Sequence, residues 1–416
     1  MRFVFLHQYF APEAAGSAVR LTELAFGLAR AGVSIDVYTG LPSYEGKQAA
    51  PKAETHGLLT IYRLGKTRFN RKKSYGRILN GLTFFLSALW KLIHTSKDAF
   101  LFIGSDPPFL PFLGYLMKRW RNQRYVLHVA DLYPEIAVAL GIFKPRGFPH
   151  RLLNLTNRLS FYHAEAIVTL GEAMREKICS YLPEDMHAKV TVIENWEDGE
   201  RIRPLNKPDN WFVTKHDLFE KTVVLYSGNL GLAHNLESLI EAAFLLRDEK
   251  KIQFLLIGEG AKKASLVAYA KRHTLPNILF LPYQPADHLP YSLTAGDIAV
   301  VSMQKGSEGL FVPGKLYTAL ACGQAILGMS PPNTEIADLI ERENCGIVVA
   351  PDAPAEIAKV ILKLHQHDTL LWHFQKNARE AFEKSFTKER AIRQYEKLFS
   401  SVTRREHESA FSLING

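Results

Sequence analysis

A lysine set behind a proline and a glycine is the first feature in this chain with chemistry in it. Residues 307–323 read Ser-Glu-Gly-Leu-Phe-Val-Pro-Gly-Lys-Leu-Tyr-Thr-Ala-Leu-Ala-Cys-Gly. Pro313 and Gly314 lead into a run of good helix formers, and Gly323 stops it. Leu310, Phe311, Val312, Pro313, Gly314, Lys315 and Leu316 then form a helix mouth, where unpaired backbone N–H groups meet a lysine ammonium. Such a mouth takes an anion, and a diphosphate is the anion it fits.

A second phosphate cradle lies upstream. An apolar strand runs into Ser227-Gly228-Asn229-Leu230-Gly231-Leu232-Ala233-His234, and a helical pattern follows from Leu236. Asn229 and His234 are its candidate donors. Gly258-Glu259-Gly260 ends the next strand and is a weaker signal, since many strand–helix turns carry two glycines. Asp106, His128, Asp131 and Glu135 stand at strand ends in the first half, where an open parallel sheet forms its ligand crevice. Each has a bland reading: either Asp as a helix cap, His128 as a core histidine. The tight Asp131-Leu-Tyr-Pro turn favours a functional role for Asp131. Gly16 and Ser17 close a small-residue loop after the first strand, with Ser17 placed as a helix N-cap and both as acceptor contacts.

The elements that must position these groups alternate strand and helix in both halves. Strands are expected at 3–6, 33–39, 99–103, 125–129, 166–170 and 189–193, then at 222–226, 252–257, 278–281, 298–301, 325–327 and 346–349. This is an α/β chain with parallel crossovers. A polar stretch with Pro204 and Pro208 reads as a linker. It gives domains at 1–203 and 204–386, with a last amphipathic helix from 387 and a poorly ordered remnant ending at Gly416. At 416 residues, two domains are the default.

Cys179, Cys322 and Cys345 are widely spaced and read as reduced, buried thiols, which fits a cytosolic protein. The short apolar start reads as a first strand rather than a signal peptide, and no run is long enough to span a bilayer. The net charge of +9 is unevenly placed: Lys66, Arg68, Arg71, Lys72, Lys73 and Arg77 precede an apolar run from 79 to 93 with Phe84, Phe85 and Trp90. That pattern fits an interfacial helix on an anionic bilayer as well as it fits a core helix beside a solvated loop. No nucleic-acid motif accompanies it.

In their order along the chain these motifs resemble family 4 glycosyltransferases of the GT-B fold. The branch is that of the WcaI and WbuB enzymes of bacterial exopolysaccharide and O-antigen assembly. The likeness rests on Gln8-Tyr9-Phe10-Ala11-Pro12-Glu13, Asp131-Leu132-Tyr133-Pro134-Glu135, Glu194-Asn195-Trp196, Tyr226-Ser227-Gly228-Asn229-Leu230-Gly231 and Val312-Pro313-Gly314-Lys315-Leu316-Tyr317. It implies two facing Rossmann-like domains, with the last helix returning to the first. It also implies a retaining sugar transfer from a nucleotide-sugar donor to a lipid-linked or growing polysaccharide acceptor, without metal or other cofactor. Asp131, Glu135, Lys315 and Glu308 are its catalytic candidates. Gly228, Asn229, His234, Gly258, Glu259, the 310–316 turn and Thr318 fall on the donor side, and Gly16, Ser17, Asp106 and His128 on the acceptor side.

The chain departs from the family pattern at three places. Thr318 stands where the family has a ribose-gripping glutamate, and Glu308 lies two residues too early to be the first of that pair. Asn229 and His234 replace a basic pair, and Ala130 replaces a histidine. A cytoplasmic location on the inner membrane face, held through residues 66–93, is expected. A nucleotide-sugar 2-epimerase and a non-catalytic partner of the same fold are the other readings. A nicotinamide dehydrogenase is not expected, because no full dinucleotide fingerprint follows any strand.

Overall fold

The computed structural model describes residues 2–13, 16–42, 50–69 and 74–414. Ala14 and Ala15, three residues of the basic run (Arg71, Lys72, Lys73) and Gly416 lie outside them. The chain divides into two compact units, Met1–Glu194 with Glu389–Gly416, and Asn195–Lys388.

The first unit is an eight-stranded sheet. Its strands are β1 (Arg2–Leu6), β2 (Ser34–Gly40), β3 (Ala53–His56), β4 (Leu59–Leu64), β5 (Phe100–Gly104), β6 (Tyr125–Val129), β7 (Ala166–Thr169) and β8 (Val190–Val192). They lie in the order β3-β4-β2-β1-β5-β6-β7-β8, parallel throughout except for the β3–β4 hairpin. The order in which strands are added reverses at the β1/β5 pair, so the loops after these parallel strands open the switch-point crevice. The hairpin was absent from the expected strands. In β4 the inward positions are Leu59, Ile61 and Arg63, and the buried arginine breaks the apolar alternation. Its two terminal nitrogens are held by Glu54, at 2.5 Å, and by the Pro51 and Ala11 carbonyls, while its Nε is enclosed without a partner.

The first helix spans Gly16–Arg30, so Ser17 stands inside its first turn and not at the cap where the sequence put it. The last helix runs Lys388–Ile414, well beyond the apolar stripe that announced it. Phe399 stacks on Phe3 at 4.2 Å and meets Phe102 edge-on, while Ile392 fills the space over Gly27, which has no side chain to obstruct it. Aromatic packing of this kind supplies both burial area and ring–ring attraction.

The second unit is a six-stranded parallel sheet of β9 (Thr222–Ser227), β10 (Ile252–Ile257), β11 (Ile278–Leu281), β12 (Ile298–Ser302), β13 (Ala325–Met329) and β14 (Gly346–Val349). The order is β11-β10-β9-β12-β13-β14, with its switch point at β9/β12. The central strands are buried on both faces, which is why they read as continuous apolar runs. The expected linker belongs to this unit. Lys207 reaches Asp297 at 2.7 Å, and Asn210 caps the helix Trp211–Lys215 by accepting from the Phe212 N–H.

Candidate functional site

The glycines after β9 and β10 are demanded by close backbone approach. Gly228 and Gly258 adopt φ of +138° and +145°, and a Cβ on Gly258 would lie 1.9 Å from the Gly228 carbonyl oxygen. A Cβ on Gly260 would lie 2.3 Å from the carbonyl oxygen of Leu230. The two loops are laced together, Gly228 N–H donating to Ile257 O and Leu230 N–H to Glu259 O, both at 2.9 Å. Only glycine fits such contacts.

Lys315 opens the helix Lys315–Ala321 and sends its side chain under this lattice. A Cβ added to Gly228 would sit 3.5 Å from Lys315 Nζ, and Nζ lies 3.7 Å from the centroid of the Tyr226 ring. The residue is half-buried, but Nζ itself is enclosed and has no hydrogen-bond partner. Burial pushes its pKa down to about 7. An ammonium carries three donors, and an aromatic face compensates only part of their lost hydration. An anion at this spot would satisfy it.

His234 belongs to the same cluster, edge-on to Tyr226 and Phe311. Burial, with Lys315 nearby, holds its pKa down at about 3, so the ring is neutral. Its Nδ1–H donates to Ser302 O at 2.7 Å, which leaves Nε2 as an acceptor and not the donor expected from sequence. Asn229 is exposed beside Gly231 and Gly260 with its amide free to reach a ligand. On the donor side Glu259 is engaged locally, pairing with Lys263 at 2.6 Å, and the catalytic candidate Glu308 accepts from the Gly306 N–H at 2.9 Å. Thr318 donates to Glu197 Oε2 at 2.6 Å. A carboxylate from a distant loop therefore stands beside the threonine that replaces one.

In the first unit, Asp106 and Asp131 come together at the ends of β5 and β6. Ser105 Oγ accepts from the backbone N–H of Ala130 at 3.1 Å and of Asp131 at 3.4 Å. Enclosure by the surrounding chain, then the Asp106 charge, raise the Asp131 carboxyl to about 6, although water still reaches the residue. His128 is an inward ring stacked on Phe102, and burial and His7 lower its pKa to about 4. Glu135 accepts a short hydrogen bond from the Tyr181 hydroxyl on Oε1, and its Oε2 is enclosed without a partner. Gly16 and Ser17 begin their helix after the β1 loop, and both are exposed.

Two family models match, the glycosyl transferase 4-like domain over residues 15–196 and glycosyl transferases group 1 over residues 212–381. The chain is a family 4 glycosyltransferase of the GT-B fold. It is 28% identical to WcaI of Escherichia coli, named as a colanic acid biosynthesis glycosyl transferase, over 93% of this chain and 96% of that one. It is 27% identical to the glycosyltransferase WbjE of Pseudomonas aeruginosa over 64% of this chain and 66% of that protein. Among solved structures, sucrose-phosphate synthase from Thermosynechococcus elongatus superposes with a TM-score of 0.78 at 16% identity, covering 97% of this chain and 100% of the other. HepE from Anabaena, solved with UDP-glucose, gives 0.71 at 14% identity over 96% and 100%. The likeness to these structures is one of fold.

For the transferase, the lysine and glycine loops were legible as a motif, whereas Tyr226 and Glu197 as their partners were not. Glu197 reaches Thr318 across 121 positions of chain, and no spacing rule announces such a contact. Among the described residues, no group of three or more His, Cys, Asp or Glu is arranged to hold a metal ion, and no helix is long and apolar enough to cross a membrane.

Proposed function

We propose that the transferase moves a sugar, with retention, from a nucleoside-diphosphate donor held by the second unit. The acceptor is a lipid-linked or growing polysaccharide chain at the cytoplasmic membrane face. The observation that carries this reading is the enclosed, unpartnered Lys315 Nζ beneath Gly228. Breaking the bond from the sugar's anomeric carbon to its phosphate oxygen leaves negative charge on the departing diphosphate. A cation already in place, already stripped of water, is the group that stabilises that charge as it develops. The Asn229 side-chain amide adds a neutral donor, and Thr318 with Glu197 offers a hydroxyl and a carboxylate for the donor's ribose. Lys315 supplies the positive charge here, so no metal is assigned to the donor site.

In front-face retention the acceptor oxygen bonds to the anomeric carbon on the side the diphosphate leaves, and the acceptor proton passes to that diphosphate. Asp131, with Asp106 beside it, would orient the acceptor hydroxyl or steady the cationic sugar. Glu135 acts at one remove, fixing the Asp131 turn through Tyr181. The names of WcaI and of WaaG, a structure described as a glycosyltransferase involved in lipopolysaccharide biosynthesis, support a surface-glycan acceptor. Residues 66–93 supply the membrane contact. The test is the anomeric configuration of the product by NMR: transfer from an α-linked donor must give an α-linkage, and a β-product would refute the retaining route.

A further inference from the structure

The helix Phe148–His163 is amphipathic the wrong way round. It buries Asn157 and Ser160 together with Phe161, and it exposes Phe148, Leu152, Leu155 and Tyr162. Phe148 is 78% exposed, an extreme value for a phenylalanine. The helix Ser74–Ile93 shows a related pattern. Asn80, Phe84, Ala88 and Leu92 are buried, while Ile78, Leu82, Leu86 and Trp90, about 200° round the helix, are exposed. The helix Phe112–Arg121 packs against both of them, so the three form one layer on one face of the first unit. Monomeric proteins rarely leave apolar surface of this extent uncovered.

Charge on the same layer says what covers it. No acidic residue occurs between Glu135 and Glu165, a span that carries Lys144, Arg146, Arg151 and Arg158. The described residues within 66–121 hold eight Lys and Arg against Asp98 and Asp106, a net of +6. At the carboxyl ends of the three helices lies a cleft of about 680 Å³ lined by Lys97, Lys118, Arg119, Arg121 and His163, with Trp120 at its rim. Trp120 is 60% exposed. Apolar stripes flanked by cations and an exposed tryptophan fit the boundary between headgroups and acyl chains of an anionic bilayer.

We propose that the whole three-helix layer is one membrane-docking face. The helix Phe148–His163 is a second inserting element beside Ser74–Ile93, and the cationic cleft receives the phosphate of an anionic lipid headgroup. This deepens the membrane reading made above for residues 66–93 and rests on it.

The test is flotation of the full chain with phosphatidylglycerol-containing vesicles and with phosphatidylcholine vesicles at physiological salt. Three paired variants are compared: Phe148→Ser with Leu152→Ser, Leu82→Ser with Leu86→Ser, and Lys97→Ser with Arg119→Ser. All six positions are surface residues, so an unchanged melting temperature confirms that each variant is folded. The wild type binds anionic vesicles, and either apolar pair lowers partitioning at least about tenfold. The cleft pair weakens binding about fivefold per charge removed and flattens its salt dependence. Wild-type binding that survives Phe148→Ser/Leu152→Ser but is lost in Leu82→Ser/Leu86→Ser overturns the second anchor and leaves the contact through 66–93 standing. No binding by the wild type overturns both. A dimer that dissociates in Phe148→Ser/Leu152→Ser, or stabilisation by inorganic phosphate without vesicle binding, also overturns the proposal.

Discussion

Donor binding should draw a proton from solution, and the structure sets how much. Burial holds the Lys315 ammonium at about 7, well below the ordinary lysine value of about 10.5. A diphosphate against Nζ returns the group to the charged form. At pH 8 about 0.9 of the lysine is neutral beforehand, so about 0.9 proton is taken up per nucleotide; at pH 7 the figure is about 0.5, and at pH 6 about 0.1. Affinity accordingly weakens about tenfold per pH unit between 7.5 and 9.5. The interaction recovers on the order of 5 kcal/mol of lysine desolvation at most. Calorimetric titration of a nucleoside diphosphate in buffers of different ionisation enthalpy reads the proton count directly. Lys315→Met is the control, and it should bind weakly with no uptake at pH 8. Uptake near zero in the wild type, or equal uptake in Lys315→Met, would refute the placement of the diphosphate on Lys315.

Other consequences follow from the same geometry. Because the folded state binds fewer protons than the unfolded one between pH 7 and 10.5, ligand-free stability should rise as pH climbs through 7. Lys315→Met should then melt higher than wild type at pH 6, with the gap narrowing above pH 7 in denaturant titrations. Gly258→Ala places a Cβ 1.9 Å from a carbonyl oxygen at positive φ, and should cost about 3 kcal/mol along with donor binding. Asp131 has a raised pKa, so its carboxylate forms as pH rises through about 6. The transfer rate should climb through that pH, and Asp131→Asn should flatten the limb and reduce kcat by on the order of a hundredfold or more. Phe399→Ala leaves a cavity against Phe3 and Phe102, and chemical denaturation should show a loss of roughly 3–5 kcal/mol.

Much of this was readable from the chain, because parallel strands buried on both faces announce themselves as apolar runs. The strands around β1, β5, β6 and β9 to β14 stand where those runs placed them. The β3–β4 hairpin was not legible: β3 is an exposed edge with no apolar stripe, and Arg63 occupies an inward position of β4. The proline–glycine–lysine turn signalled the Lys315 helix, since those three residue types have local meaning. Enclosure of Nζ by Tyr226 and Gly228 has no local signal, because it arises from packing β9 and its loop beside the start of a helix almost ninety residues later. The same holds for His234, whose tautomer is set by Ser302 on β12. The helix Phe148–His163 carries its periodicity openly in the sequence, but nothing local says that the face with Asn157 is the buried one, where its amide donates to the Tyr133 carbonyl.

The central claim is that the second unit grips a nucleoside diphosphate through Lys315 and the glycine loops. The most direct measurement is the melting temperature of wild type and Lys315→Met with saturating UDP, GDP, CDP or NAD. A ligand at a hundred times its Kd that binds only the folded state adds about 2.7 kcal/mol of stability, which a melting curve resolves. The account predicts a rise with one nucleoside diphosphate, none with NAD, and loss of the rise in Lys315→Met. A rise with NAD, or a full response in Lys315→Met, would contradict it.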